Sequence, residues 1–145
     1  MTHTSSFEIK DSKTFFTEMI LPQYEEFLKR NSSGRHALLT IILTYHFYEW
    51  VHEKKFTVCD FLRKYPNQND LAGYFDAARL LTNGTKHFSN KPVTTTTQMG
   101  FSSAFHNGFV RSLNIQLPDG SNISADQLIK KMVEFWKERQ GNGFI

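Results

Sequence analysis

Apolar side chains recur at spacings of three and four along most of this chain, and that period commits it to helices that each bury one face. Phe15, Phe16, Met19, Ile20, Tyr24, Phe27 and Leu28 form one stripe. Leu71, Tyr74, Phe75, Ala78, Leu81 and Thr82 form a second, and Leu128, Ile129, Met132, Val133, Phe135 and Trp136 a third. Between the first two, Arg35 to Lys55 is apolar on most sides in its first half, as the central helix of a bundle is. With 14 Phe, 5 Tyr and 2 Trp against 8 Gly and 4 Pro, rings must supply much of the burial.

Punctuation sets the boundaries. Pro22 either kinks the first helix or ends it near Leu21 and opens a second in its own first turn. Asn31-Ser-Ser-Gly34 is a stop, and Ser32 or Ser33 caps the central helix. Thr57 to Tyr65 is a short amphipathic piece that brings Val58, Phe61 and Leu62 together, with Pro66 behind it. Asn69 or Asp70 caps the next helix, and Asn83-Gly84 is a natural place for it to end or bend. Ser124-Ala-Asp-Gln127 is a capping box for the last helix.

The texture changes after His87. Thr94 to Thr97 suits an exposed strand, and Arg111 to Leu117 alternates, with Leu113, Ile115 and Leu117 on one side. Pro118-Asp119-Gly120 is a tight turn, and Ser121 to Ile123 returns as a short strand. Phe101, Phe105 and Phe109 are four apart, but the flanking glycines favour strand or loop over helix. The expected fold is mainly α, a four- to five-helix up-and-down bundle with a small antiparallel β-hairpin inserted before the C-terminal helix. It forms a single domain over 1–145, with a helical core at 11–88 and 124–140 and a β insertion at about 92–123.

A chain of 145 residues buries one core, and its composition excludes fibrous, collagenous and disordered classes. The longest apolar run, Leu38 to Leu43, is far short of the ~20 residues that cross a bilayer. The N-terminus has neither a basic segment followed by an apolar run nor an Arg-rich amphipathic stretch, so a cytoplasmic protein with no membrane association is expected. The lone Cys59 fits a reducing compartment and reads as buried filler. Net charge is +3, with 17 Lys and Arg spread in short pairs; that balance permits nucleic-acid contact without requiring it.

Glycine-rich phosphate loops, a nucleophile elbow and a two-histidine zinc motif are absent from the sequence. Two constellations remain. If the helix runs through Gly84, Arg79, Asn83 and His87 fall within roughly 80° of one another at about 100° per residue, with Lys86 beside them. An Arg, an amide, a Lys and a His could hold a phosphate and supply a general base, the minimum chemistry for cutting RNA through its 2′-hydroxyl. The alternative is that Asn83-Gly84 is a C-terminal stop, with Lys86 and His87 stabilising the helix carbonyls. In the second constellation, His46 and Glu49 share a face at a spacing of three, as do Glu49 and His52. No matching helix completes a metal site, so neither a metal nor a cofactor is expected. Here His46 or Glu49 is expected to orient Arg79 or His87 across the helix pair.

Arg35 to Glu53, Ala78 to Phe88 and Pro118 to Glu138 together resemble a group of uncharacterised bacterial and phage proteins. In that group a His-x-x-Glu-Trp helix precedes an Arg-x3-Asn-x2-Lys-His motif, and a strand with Asp-Gly leads to a helix ending in Phe-Trp. The helical part also resembles the HEPN superfamily, which includes ribonuclease toxins, anti-phage effectors and non-catalytic dimeric modules. The resemblance implies a homodimer that binds RNA or a nucleotide. It also implies metal-independent ribonuclease chemistry, with His87 as base, Arg79 and Lys86 on the phosphate, Asn83 orienting, and His46 and Glu49 in the same patch. In the HEPN enzymes four to six residues separate the Arg from the His; here Leu80 to Lys86 lie between them. The competing expectation is a protein-interaction or dimerisation module in which the same patch is a structural hydrogen-bond network.

Overall fold

The computed structural model describes residues 7–86, 95–98 and 112–141. His87, His106 and the Phe101, Phe105 and Phe109 series lie outside the described residues. The chain opens with a capping box, in which Asp11 Oδ1 accepts the Thr14 N–H at 2.8 Å and Thr14 Oγ1 accepts the Asp11 N–H at 3.1 Å. From there α1 (Ser12–Phe15), a π turn (Phe16–Ile20) and α2 (Leu21–Lys29) form one unbroken helical run.

That run settles the effect of Pro22. The Leu21 N–H reaches back five residues to the Phe16 carbonyl, and Pro22 sits in the first turn of α2. The wider turn loosens the backbone just where the proline ring would crowd an α-helical carbonyl, so the helix continues. A π turn also rotates each residue by less than the α-helical step, which shifts the apolar stripe. Phe15, Phe16, Ile20 and Phe27 stay buried, whereas Met19 and Leu28 emerge at its edge, 37% and 53% exposed.

Helix α3 (Gly34–His52) is capped by Ser33, whose hydroxyl accepts the His36 N–H at 3.2 Å. Its buried hydroxyls bond back one turn, Thr40 to the His36 carbonyl at 2.7 Å and Thr44 to the Thr40 carbonyl at 2.6 Å. Glu53 ends it in the left-handed region at φ 57°. Short α4 (Val58–Lys64), capped by Thr57, turns the chain and buries Phe61. Cys59 is exposed, contrary to expectation, as is Val58. Two residues from Phe61 is about 200° around a helix, so the thiol points away from the core.

Helix α5 (Asn69–Lys86) begins one residue earlier than its sequence signals suggest, with the Gln68 carbonyl accepting the Ala72 N–H at 3.0 Å. It then passes straight through Asn83-Gly84. Helix α6 (Ala125–Gly141) starts where Ser124 Oγ accepts the Gln127 N–H at 3.2 Å, and Leu128, Ile129, Met132, Val133, Phe135 and Trp136 are all buried.

Cross-links between elements fix an up-and-down order. Ser12 Oγ donates to the Trp50 carbonyl at 3.0 Å while Gln23 Nε2 meets His36 Nδ1 at 3.3 Å, so the first helical run is antiparallel to α3. Gly34 and Ala37 lie across from Leu81, Gly84 and Thr85, while Tyr48 faces Phe75 at 6.3 Å; α5 therefore runs antiparallel to α3. Asn31 Nδ2 donates to Asp126 Oδ2 at 3.3 Å and Lys137 lies 5.9 Å from the Tyr24 ring, which closes α6 against α2. The core is a chain of rings. Trp136 stands edge-on to Phe47 at 5.0 Å and Phe75 at 5.7 Å, and Phe56 stacks on Phe75 at 5.8 Å. Such pairs contribute about 0.5–1.5 kcal/mol each beyond area burial.

The β insertion is a three-stranded antiparallel sheet in the order β1 (Thr95–Gln98), β2 (Ser112–Gln116), β3 (Asn122–Ser124). The β2–β3 hairpin pairs Ile115 with Ile123, and Thr95 to Gln98 add the outer strand to β2. At the turn, Gly120 takes φ 90° and Asp119 Oδ1 accepts from the Ser121 N–H at 2.9 Å and hydroxyl at 2.6 Å. Ile115 faces the core, while Gln116 faces solvent. Among the described residues, no helix is long and apolar enough to cross a membrane.

Candidate functional site

The continuity of α5 brings Asp76, Arg79, Asn83 and Lys86 onto one stripe, within about 80° of one another. This removes the reading of Asn83-Gly84 as a stop. Gly84 costs a helix interior about 1 kcal/mol relative to Ala, and the flanking Leu81, Thr82 and Leu80, packed against neighbouring elements, hold the helix through it. Asn83 and Lys86 are exposed. The Arg79 side chain is 36% exposed, and its Nε donates to Asp76 Oδ1 at 2.9 Å, one turn back on the same helix. Asp76, not His46 or Glu49, therefore orients Arg79, because an i,i+3 partner reaches the guanidinium without crossing the helix pair.

From α3, Tyr45 projects towards this stripe. Burial holds its hydroxyl above the usual phenol range; the Glu49 and Asp76 carboxylates push the same way, and the Arg79 guanidinium opposes them. Tyr45 is thus buried on α3 within electrostatic range of Arg79, Asp76 and Glu49. His46 is half-buried on the same helix, its ring 6.0 Å from that of Tyr45. The edge therefore holds Arg79, Asn83, Lys86 and Glu49 with Asp76 and Tyr45, which the motif reading missed. The Asp76 signal was present in the sequence as an acid three residues before the arginine. Tyr45 gave no signal beyond its place in an apolar helix.

His52 does not share a polar face with Glu49. It turns inward, its ring 4.4 Å from Tyr48 and its Nε2 3.0 Å from the Tyr65 hydroxyl. Burial, aided by Lys64 and Lys54, pulls its pKa down to about 4, so the ring is neutral near pH 7. The Arg139 guanidinium lies 5.2 Å from the Tyr65 ring and opposes the upward push that burial gives the Tyr65 hydroxyl. Tyr48, whose hydroxyl is buried without a partner among the described residues, is pushed up to about 12 by burial. This second cluster ties α3, α4 and α6 together. Among the described residues, no three His, Cys, Asp or Glu side chains converge as a metal site would need.

The chain matches no family model, no curated protein and no solved structure.

Proposed function

We propose that the α3–α5 edge binds a nucleotide phosphate, free or within RNA. Arg79 and Lys86 meet the charge, Asn83 supplies an amide, and His46 and Glu49 form the neighbouring wall. The observation that carries this reading is the unbroken α5, which aligns Arg79, Asn83 and Lys86 and leaves the last two open to solvent. Asp76 fixes the guanidinium in advance, which lowers the entropy lost on binding. Two carboxylates on the same edge, Asp76 and Glu49, disfavour a long polyanion track and suit a contact of one or two phosphates. In this reading the protein is cytoplasmic and HEPN-like, acts as a homodimer and needs no metal. Where cleavage occurs, His87 takes the 2′-hydroxyl proton.

A second reading is a non-catalytic interaction or dimerisation module in which Arg79, Asp76 and Tyr45 form a structural network; the 2.9 Å Arg79–Asp76 pair favours it. Incubating the protein with mixed RNA in chelator, beside Arg79→Ala and His87→Ala, separates the two. The ribonuclease form of the proposal predicts cleavage by the parent chain and at least a hundredfold loss in both variants. Intact RNA, together with a large drop in unfolding temperature for Arg79→Ala, supports the network instead.

A further inference from the structure

A cavity of about 340 Å³ opens where the first turn of α3, the last turns of α5 and the sheet meet. Its wall differs from the rest of the core. The core elsewhere is built of rings, whereas here Leu38, Ile41, Leu80, Leu113 and Ile115 present branched aliphatic carbon, with no aromatic side chain among the described lining residues. An apolar void of about 150 Å³ already admits a benzene ring, and small-molecule sites start at roughly 300 Å³. Closed cores rarely keep a void this large, because its lining forfeits dispersion contacts.

Gly34 and Gly84, both exposed, face each other across the mouth. A Cβ at either would meet nothing within 4 Å, so the opening is kept by the absence of two side chains and not by strain. Arg35, next to the lining Gly34, is exposed in the first turn of α3, and the mouth also takes the positive end of the α3 dipole.

We propose that this cavity holds the aliphatic chain of a small anionic amphiphile, a fatty-acid-like carboxylate, with its head at the mouth beside Arg35 and the N-terminus of α3. Aliphatic walls take the chain without the shape demands of a ring, and one cation at the positive end of the α3 dipole matches one carboxylate. This site is separate from the α5 phosphate stripe: Gly84 lies about 140° around α5 from Arg79 and about 160° from Lys86.

Titration calorimetry with sodium decanoate on the full chain tests it, with decyltrimethylammonium as the same chain bearing the opposite charge. The expected result is one decanoate per chain at micromolar affinity and little or no binding of the cation. Gly84→Leu and Gly34→Leu, which fill the mouth from opposite sides, each weaken decanoate at least tenfold while the free protein's unfolding temperature is kept. Arg35→Glu weakens it about fivefold. Absence of saturable decanoate binding, or equal binding by the parent chain and both leucine variants, overturns the site. Equal binding of the cationic chain overturns the assignment of an anionic head.

Discussion

Trp136→Ala lowers the unfolding free energy by about 3–5 kcal/mol, a large part of the 5–15 kcal/mol typical of a domain. The indole is fully buried at the meeting point of α3, α5 and α6, with ring centroids 5.0 Å from Phe47, 5.7 Å from Phe75, 5.0 Å from Phe135 and 6.2 Å from His52. Its neighbours are themselves rings held by one another, so they cannot collapse into the space an alanine leaves, and the cavity term is close to its maximum. Trp136→Phe costs far less, because most ring contacts persist and the buried Nε1–H, which finds no acceptor among the described residues, is removed. Urea denaturation of the two variants reads the difference directly, and similar losses for both would contradict this account of the core.

Acid weakens the fold through His52. The ring ionises at about 4 in the folded chain against 6.5 in the unfolded one, so at intermediate pH the unfolded state binds the extra proton. The stability His52 contributes is complete above pH 6.5 and is lost progressively as pH falls towards 4. At 1.36 kcal/mol per unit the shift has an upper bound above 3 kcal/mol; because solvent still reaches part of the ring, a loss of about 2 kcal/mol is expected. Urea midpoints at pH 7.0 and 4.5 for the parent chain and His52→Gln isolate this contribution from the carboxylates. The parent should lose about 2 kcal/mol more than the variant across that interval, and parallel losses would remove His52 as the cause.

These two residues also mark what the sequence could and could not convey. Trp136 was legible as core because it sits in a stripe at helical spacing, and the same period located α3, α5 and α6. The alternation of Leu113, Ile115 and Leu117 located the hairpin. His52 was misread because spacing of three places it near Glu49 on a helical wheel, and only the packing of α4 and α6 decides which side of α3 is inside. The π turn escaped for a related reason: a proline announces a disturbance, but the backbone has more than one way to absorb it. At the candidate site, helix continuity through Asn83-Gly84 was undecidable locally, since the cost of one interior glycine is of the same order as the packing of Leu81 and Thr82 that offsets it. The pairing of β1 with β2 depends on residues far apart in the chain and had no local signal beyond four β-branched threonines.

Phosphate binding at the α5 stripe is the centre of the functional reading, and Lys86 tests it most cleanly, because an exposed side chain in the last turn can be reversed in charge with little effect on folding. Fluorescence anisotropy of a labelled single-stranded RNA 12-mer, titrated with the parent chain and with Lys86→Glu across a salt series, is the direct measurement. The expected result is saturable binding whose logarithmic salt slope is about −1.4, as two cations on single-stranded nucleic acid give, and at least tenfold weaker binding by Lys86→Glu at an unchanged unfolding midpoint. Absence of binding by the parent chain, or equal affinity of the two proteins, would contradict it.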